Sequence, residues 1–210
     1  MIKKNLKILI VTSVAILLPI LAGLILWEQL SDQLPIHWNV EGEVDGWCSK
    51  PFAIFGMPLI LLGVHWLAVF ATLSDPKNQR YSGKILNMIF WLIPVLNIAL
   101  FALMYSVAMG GKIRVEMFMS VLLGLIFVVI GNYLPKCQQS YTIGIKLPWT
   151  LHSEENWNRT HRMAGWLWVV GGLIIVFTGF FNILWLTLFV PLALALIPTV
   201  YSYILYRKGI

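Results

Sequence analysis

Six long apolar runs separated by polar connections set the pattern of this chain: residues 8–27, 52–73, 85–107, 115–134, 164–181 and 183–206. The hydrocarbon core of a bilayer is crossed by about 20 helical residues, so each run predicts a transmembrane helix. The last two runs are parted only near Asn182, which predicts a tight helical hairpin. Pro19, Pro58, Pro94, Pro191 and Pro198 lie inside runs. Neighbouring helices satisfy the carbonyls that proline frees, so kinks rather than breaks are expected. Gly171, Gly172 and Gly179 offer close-packing faces. The pattern predicts an all-α membrane protein of six helices. It divides into a first helical hairpin (1–73) and a four-helix region (74–210). Two polar stretches are long enough to carry structure of their own, 28–51 and 131–163.

Composition strengthens this picture. The chain is 59% hydrophobic and 11% charged, where soluble domains carry about 25% charged residues. A water-facing fold is excluded. The net charge of +6 has a membrane explanation that needs no nucleic acid. With six spans, twelve of the fifteen Lys and Arg residues share the side of the two termini: Lys3, Lys4, Lys7, Lys77, Arg80, Lys84, Lys136, Lys146, Arg159, Arg162, Arg207 and Lys208. The other side has Lys50, Lys112 and Arg114. Cytoplasmic loops are enriched in Lys and Arg, so both termini and the 131–163 loop are expected in the cytoplasm, and the acidic 28–51 loop outside. The first run is too long for a cleaved leader and lacks a small-x-small site, so it reads as an anchor. Cys48 and Cys137 fall on opposite sides and cannot pair. Cys137 reads as a small packing residue.

In the 28–51 loop, Pro35 and the β-formers after it predict extended chain over 34–38. The stretch Asn39, Val40, Glu41, Gly42 and the pair Asp45-Gly46 are turn chemistry. His37 with Asp45 or Glu41 could form a pH-sensitive pair, but one histidine with scattered carboxylates is a weak metal signal. In the 131–163 loop, Pro135 ends the fourth run. Residues 141–147, YTIGIKL, read as a short β-like stretch interrupted by Gly144, and Pro148-Trp149 as a rigid corner. Ser153 reads as an N-cap with Glu154 and Glu155 in the first turn. Glu155 and Arg159 are an i,i+4 pair, and Trp157 and His161 share a face. Glu154, Asn158 and His161 also fall on one side by spacing, beside His152, without any known zinc or nucleophile pattern. Within the spans, His65, Asn87 and Asn97 are read as interhelical hydrogen-bonding residues, and the buried carboxylates of a proton-coupled pump are missing.

The motifs GNYLPK (131–136), YTIGIKLPWTL (141–151) and WNRTHR (157–162) resemble the signature of the Sdp immunity (SdpI) family of bacterial multi-pass membrane proteins. LPIHWN (34–39) with Gly42, Asp45, Gly46 and Trp47 resembles the domain of unknown function of the DUF1648 type that often precedes it. Two positions depart: Ser140 stands where the family usually has Asn, and Lys146-Leu147 where it has Arg-Thr. Lys keeps the charge but lacks the planar fork of Arg.

The resemblance implies immunity to a secreted toxic peptide and, in some members, recruitment of a small DNA-binding repressor to the membrane. On that basis the toxin-facing candidates are His37, Trp38, Asn39, Asp45 and Trp47. The docking or coupling candidates are Asn132, Tyr133, Pro135, Lys146, Pro148, Trp149, Trp157, Thr160, His161 and Arg162. No catalytic residue, metal or cofactor is expected, and the partners are membrane lipid, the peptide and the repressor. The alternative is a transporter or channel-like module for small amphipathic molecules. A membrane enzyme using His37 or His161 is a third reading.

Overall fold

The computed structural model describes residues 2–39, 41–77, 83–181 and 183–210. Val40, Arg80 and Asn182 lie outside the described residues, as do the side chains of Lys3 and Lys4. In chain order the elements are α1 (Ile2–Ile25), β1 (Gln33–Trp38), β2 (Val44–Ser49), α2 (Met57–Leu73), α3 (Gly83–Ala108), α4 (Val115–Tyr133), α5 (Pro148–His152), α6 (Glu154–Phe181) and α7 (Leu184–Arg207). One π-helical turn, Phe52–Gly56, leads into α2, and a 3-10 turn, Leu134–Lys136, ends α4 at Pro135. Among the described residues, α1, α2 with its leading turn, α3, α4 with its closing turn, α6 and α7 are long and apolar enough to cross a membrane. Their large apolar side chains face outward, as Leu67 at 69% and Trp185 at 71% exposure illustrate. In water that would be untenable; in lipid it is the ordinary arrangement.

The chain forms two compact units. The first holds residues 1–74 and 86–115. Here β1 and β2 make an antiparallel hairpin whose buried face, with Leu34, packs on Leu30, Ala53, Ile54, Phe101, Met104 and Tyr105. Lys50 donates to the carbonyls of Trp27 and Leu30 just past the C-terminus of α1 and lies over the Trp27 ring. Such a cation satisfies carbonyls that a helix end leaves open. Around Pro19 of α1, Asn97 donates to the Ile16 carbonyl and the Tyr105 hydroxyl to the Pro19 carbonyl, both at 2.9 Å. The Thr12 hydroxyl donates to the Ile8 carbonyl and pairs with His65 Nε2 at 3.0 Å. His65 and Asn97 thus join helices, while Asn87 is exposed.

The hairpin departs from expectation at Asp45-Gly46, which lies within β2 rather than in a turn. The turn closes earlier. Asn39 Oδ1 accepts from the N–H groups of Glu41 and Glu43, and Gly42 takes φ 78. Gly46 is needed for another reason: a Cβ there would stand 2.7 Å from His37 Cβ across the hairpin.

The second unit holds residues 75–85 and 116–210. Helices α4 and α6 approach through glycine. A Cβ on Gly124 would lie 2.5 Å from the Gly172 carbonyl, and one on Gly172 would lie 2.6 Å from the Gly124 carbonyl. Gly131 faces Gly165, and Gly179 faces Ser120, so on α6 the small residues 165, 172 and 179 recur every seven positions along the seam. Gly171 instead makes room for Leu194 of α7. Trp168 donates to the Leu194 carbonyl at 2.8 Å, tying α6 to α7.

Candidate functional site

The 3-10 turn after α4 releases a segment that runs over the N-terminal half of α6. Residues 141–144 form bends and 145–147 are irregular, not the β-like stretch the sequence suggests. Their polar groups are taken by a side chain instead of a partner strand. Asp75, in the connection after α2, is buried, and its Oδ2 accepts from Ser140 Oγ (2.6 Å), Tyr141 N (2.9 Å), Thr142 Oγ1 (2.9 Å) and Thr142 N (3.1 Å). Its Oδ1 accepts from Lys77 N at 3.0 Å. Burial by itself would raise the Asp75 carboxyl. The hydroxyls of Ser140 and Thr142 and the N–H groups of Lys77 and Thr142 outweigh it and hold the carboxyl below its ordinary range. Lys77 adds a second pin. Its ammonium donates to Gln139 Oε1 and the Leu151 carbonyl and lies over the Tyr141 ring.

A second layer fixes the segment from below. Trp157 and His161 of α6 are fully buried and stacked at 3.9 Å. Trp157 Nε1 donates to the Cys137 carbonyl, and the Ile145 N–H donates to His161 Nε2 at 2.9 Å. His161 Nδ1 lies 2.8 Å from the Trp157 carbonyl. The network assigns the ring as neutral with its hydrogen on Nδ1, and both nitrogens are spent. Gly144 takes φ +109 and lies flat on the stacked rings; a Cβ would fall 2.5 Å from His161 Nε2. Thr150 accepts from the Leu147 N–H and donates to the Ile145 carbonyl, which sets up the short α5. Trp149 donates to Ser202 Oγ and packs on Tyr203 and Tyr206 of α7. Ser153 Oγ caps the N–H of Asn156, and Arg159 bonds Glu155, as their spacing predicts.

Residues 136–202 match the model of the SdpI/YfhL protein family. This region is of the SdpI family. Residues 14–62, which include the hairpin, match the Domain of unknown function (DUF1648). Over 211 residues the chain is 29% identical to the Immunity protein SdpI of Bacillus subtilis (strain 168), spanning 98% of this chain and 97% of that one. No solved structure matches. With its six membrane-length helices, the chain is a multi-pass cell-membrane protein.

The SdpI-family region contains most of the residues singled out by sequence in this half, and they divide by burial. Trp157, Thr160 and His161 are interior, and Trp149 is half-buried. Lys146, Pro148 and Arg162 are exposed, as are Asn132 and Pro135 just ahead of the region, with Tyr133 half-buried. The expected face of Glu154, Asn158 and His161 does not exist: Glu154 and Asn158 are exposed while His161 is interior. Helix α6 buries 156, 157, 160, 161 and 164, because Trp157 needs the Cys137 carbonyl and drags His161 with it. Cys137 is a buried thiol, pushed up to about 11 by desolvation.

Asp75 and Lys77 escaped the sequence reading and lie outside both family-matched segments. The only signal was an acid followed by Pro76 in a connection whose other charges, Lys77, Arg80 and Lys84, are all basic.

In the first unit the hairpin brings His37 and Asp45 into contact, Nδ1 to Oδ1, with both side chains open to solvent. Trp47 is exposed on the strand face that carries Asp45. Trp38 turns toward the core, and Asn39 is spent on the turn. Among the described residues no three His, Cys, Asp or Glu side chains are grouped to hold a metal.

Proposed function

We propose that this chain is a membrane immunity protein that protects its cell from a secreted toxic peptide. One observation carries the reading: similarity to an immunity protein runs through both units, over 98% of the chain. The bias of Lys and Arg supports an orientation with both termini and the 131–163 loop toward the cytoplasm and the hairpin outside. Trp47 with the His37–Asp45 pair then forms the face that meets the peptide. A face with an aromatic anchor and a hydrogen-bonded His–Asp pair suits an amphipathic ligand.

On the cytoplasmic side, Lys146, Pro148, Asn132 and the exposed Tyr141 ring form the surface offered to a DNA-binding repressor. Trp157 and His161 act beneath it as the base that holds the surface in shape. Toxin can alter that surface only by favouring one of two arrangements of the chain.

Expression in a toxin-sensitive strain tests the proposal. Cells carrying the wild-type chain should survive a toxin dose that kills cells with empty vector. Equal killing despite confirmed membrane insertion would end the immunity reading. Capture of the repressor by membranes only when toxin is present tests the signalling arm separately.

A further inference from the structure

Helix α6 enters its apolar part through an ordered stripe of exposed side chains. Glu155, Arg159, Arg162, Trp166, Val170, Leu173 and Phe177 follow one another at three- or four-residue steps, so they share one face. Trp166 is 73% exposed, and Val170, Leu173 and Phe177 are all more than half exposed. Beside the polar end of the stripe lies an open groove of about 890 Å³. Its walls include Glu154, Glu155, Arg159, Arg162 and Trp166 with Tyr201 of α7. That volume suits a small-molecule headgroup with the start of its tail.

The order of the groups is informative. From the helix start inward come two carboxylates, two guanidinium groups, an indole, and then aliphatic and aromatic surface. At 1.5 Å rise per residue, Arg159 lies about 6 Å beyond Glu155, Arg162 about 4.5 Å further, and Trp166 about 6 Å beyond that. A phospholipid with an amine headgroup presents the complementary order: ammonium outermost, then phosphate, glycerol esters and acyl chains.

The geometry points to a binding site for a phosphoethanolamine lipid on this face of α6. Its ammonium lies on Glu154 and Glu155, its phosphate on Arg159 and Arg162, its glycerol region against Trp166, and one chain along Val170, Leu173 and Phe177. Arg159 shares Glu155, whereas Arg162 has no ion pair among the described residues and presents its fork to a phosphate. Two carboxylates and two guanidinium groups sum to zero, which matches a zwitterion. A phosphoglycerol headgroup brings a net negative charge and leaves the two carboxylates uncompensated. A phosphocholine headgroup is zwitterionic, but its quaternary ammonium has no N–H to donate to them. This role for Arg162 is independent of the proposed immunity and of the orientation of the chain.

The test is lipid competition on the full chain. The protein is reconstituted in bilayers with equal parts of phosphoethanolamine, phosphoglycerol and phosphocholine lipids of identical acyl chains, then released and weighed by native mass spectrometry. Wild type should retain the phosphoethanolamine lipid about threefold over each of the others, the scale of one exposed ion pair. Glu154→Gln with Glu155→Gln should abolish the preference over phosphocholine while keeping bound lipid. Arg162→Gln should lower retention of all three. Both variants alter exposed side chains, and unchanged elution on gel filtration checks that they fold. Retention in proportion to the bilayer, a preference for phosphoglycerol, or a preference that survives both variants would overturn the site.

Discussion

Asp75 accepts five hydrogen bonds, four of them from residues more than sixty positions away. Its replacement by Asn removes the charge and turns an amide N–H₂ toward groups that are themselves donors. Hydrogen bonds to a charged group contribute about 1.5–3 kcal/mol each when a buried partner is lost. Asp75→Asn should therefore loosen residues 138–147 by about 2 kcal/mol, read as faster hydrogen exchange at Tyr141 and Thr142. The pH dependence has a definite sign. The folded carboxyl is held below its ordinary value of 3.8, so its contribution is complete at neutral pH. It disappears as pH falls below about 4, through the folded value. Protection of Tyr141 and Thr142 relative to the intrinsic exchange rate at each pH should be flat from about pH 5 to 8 and fall at lower pH, while the Asn variant shows no such step. This anchor was illegible in the sequence because neither partner announces it: a lone acid before proline and a Ser-Tyr-Thr run look like ordinary loop. Trp157 and His161, by contrast, were legible as a pair, since helix spacing alone brings them together.

At the scale of elements, the helices were legible and the connections less so. Twenty-residue apolar runs have one solution in lipid, which is why the spans agree with the sequence to within a few residues, apart from the polar lead of α6. Short extended segments have several. Residues 34–38 found a partner strand in β2, which the turn chemistry of Asp45-Gly46 had disguised; residues 141–147 found Asp75 in place of a strand. The seam between α4 and α6 was half visible, in Gly172 and Gly179, because a glycine facing backbone resembles one facing lipid until the partner helix is known. The two kinds separate by experiment. Gly172→Leu forces a side chain against the Gly124 carbonyl and should destabilise the second unit by about 1–3 kcal/mol. A Cβ on Gly63 of α2 would meet nothing within 4 Å, so Gly63→Ala should be neutral or slightly stabilising. Thermal unfolding of both variants in detergent micelles gives the comparison.

For the whole molecule, orientation decides which loop faces the outside of the cell. Twelve basic residues against three predict that a maleimide unable to cross the bilayer labels Asp45→Cys in intact cells and reaches Lys146→Cys only after permeabilisation, with Cys48 and Cys137 replaced by Ser. Labelling of both from outside would reverse the assignment. The hairpin packs on the core of its own unit through Leu34, and the 138–152 segment is pinned within the other. Each half of the signature therefore has a base that can be altered without touching its exposed residues.

The Asp75 anchor also has a consequence for biosynthesis. The carboxylate leaves the ribosome 65 residues before Ser140, an interval of about 3–13 s at 5–20 residues per second. His161, which holds the far side of the same segment, emerges later still. Throughout that interval Asp75 stands hydrated in a connection whose final neighbours have not been made. The segment can close fully only when the polar lead of α6, with Trp157 and His161, has been made, so its closure marks a chain that has reached its fifth span. Nascent chains arrested between α4 and α6 carry the whole first unit yet leave the segment open to proteases.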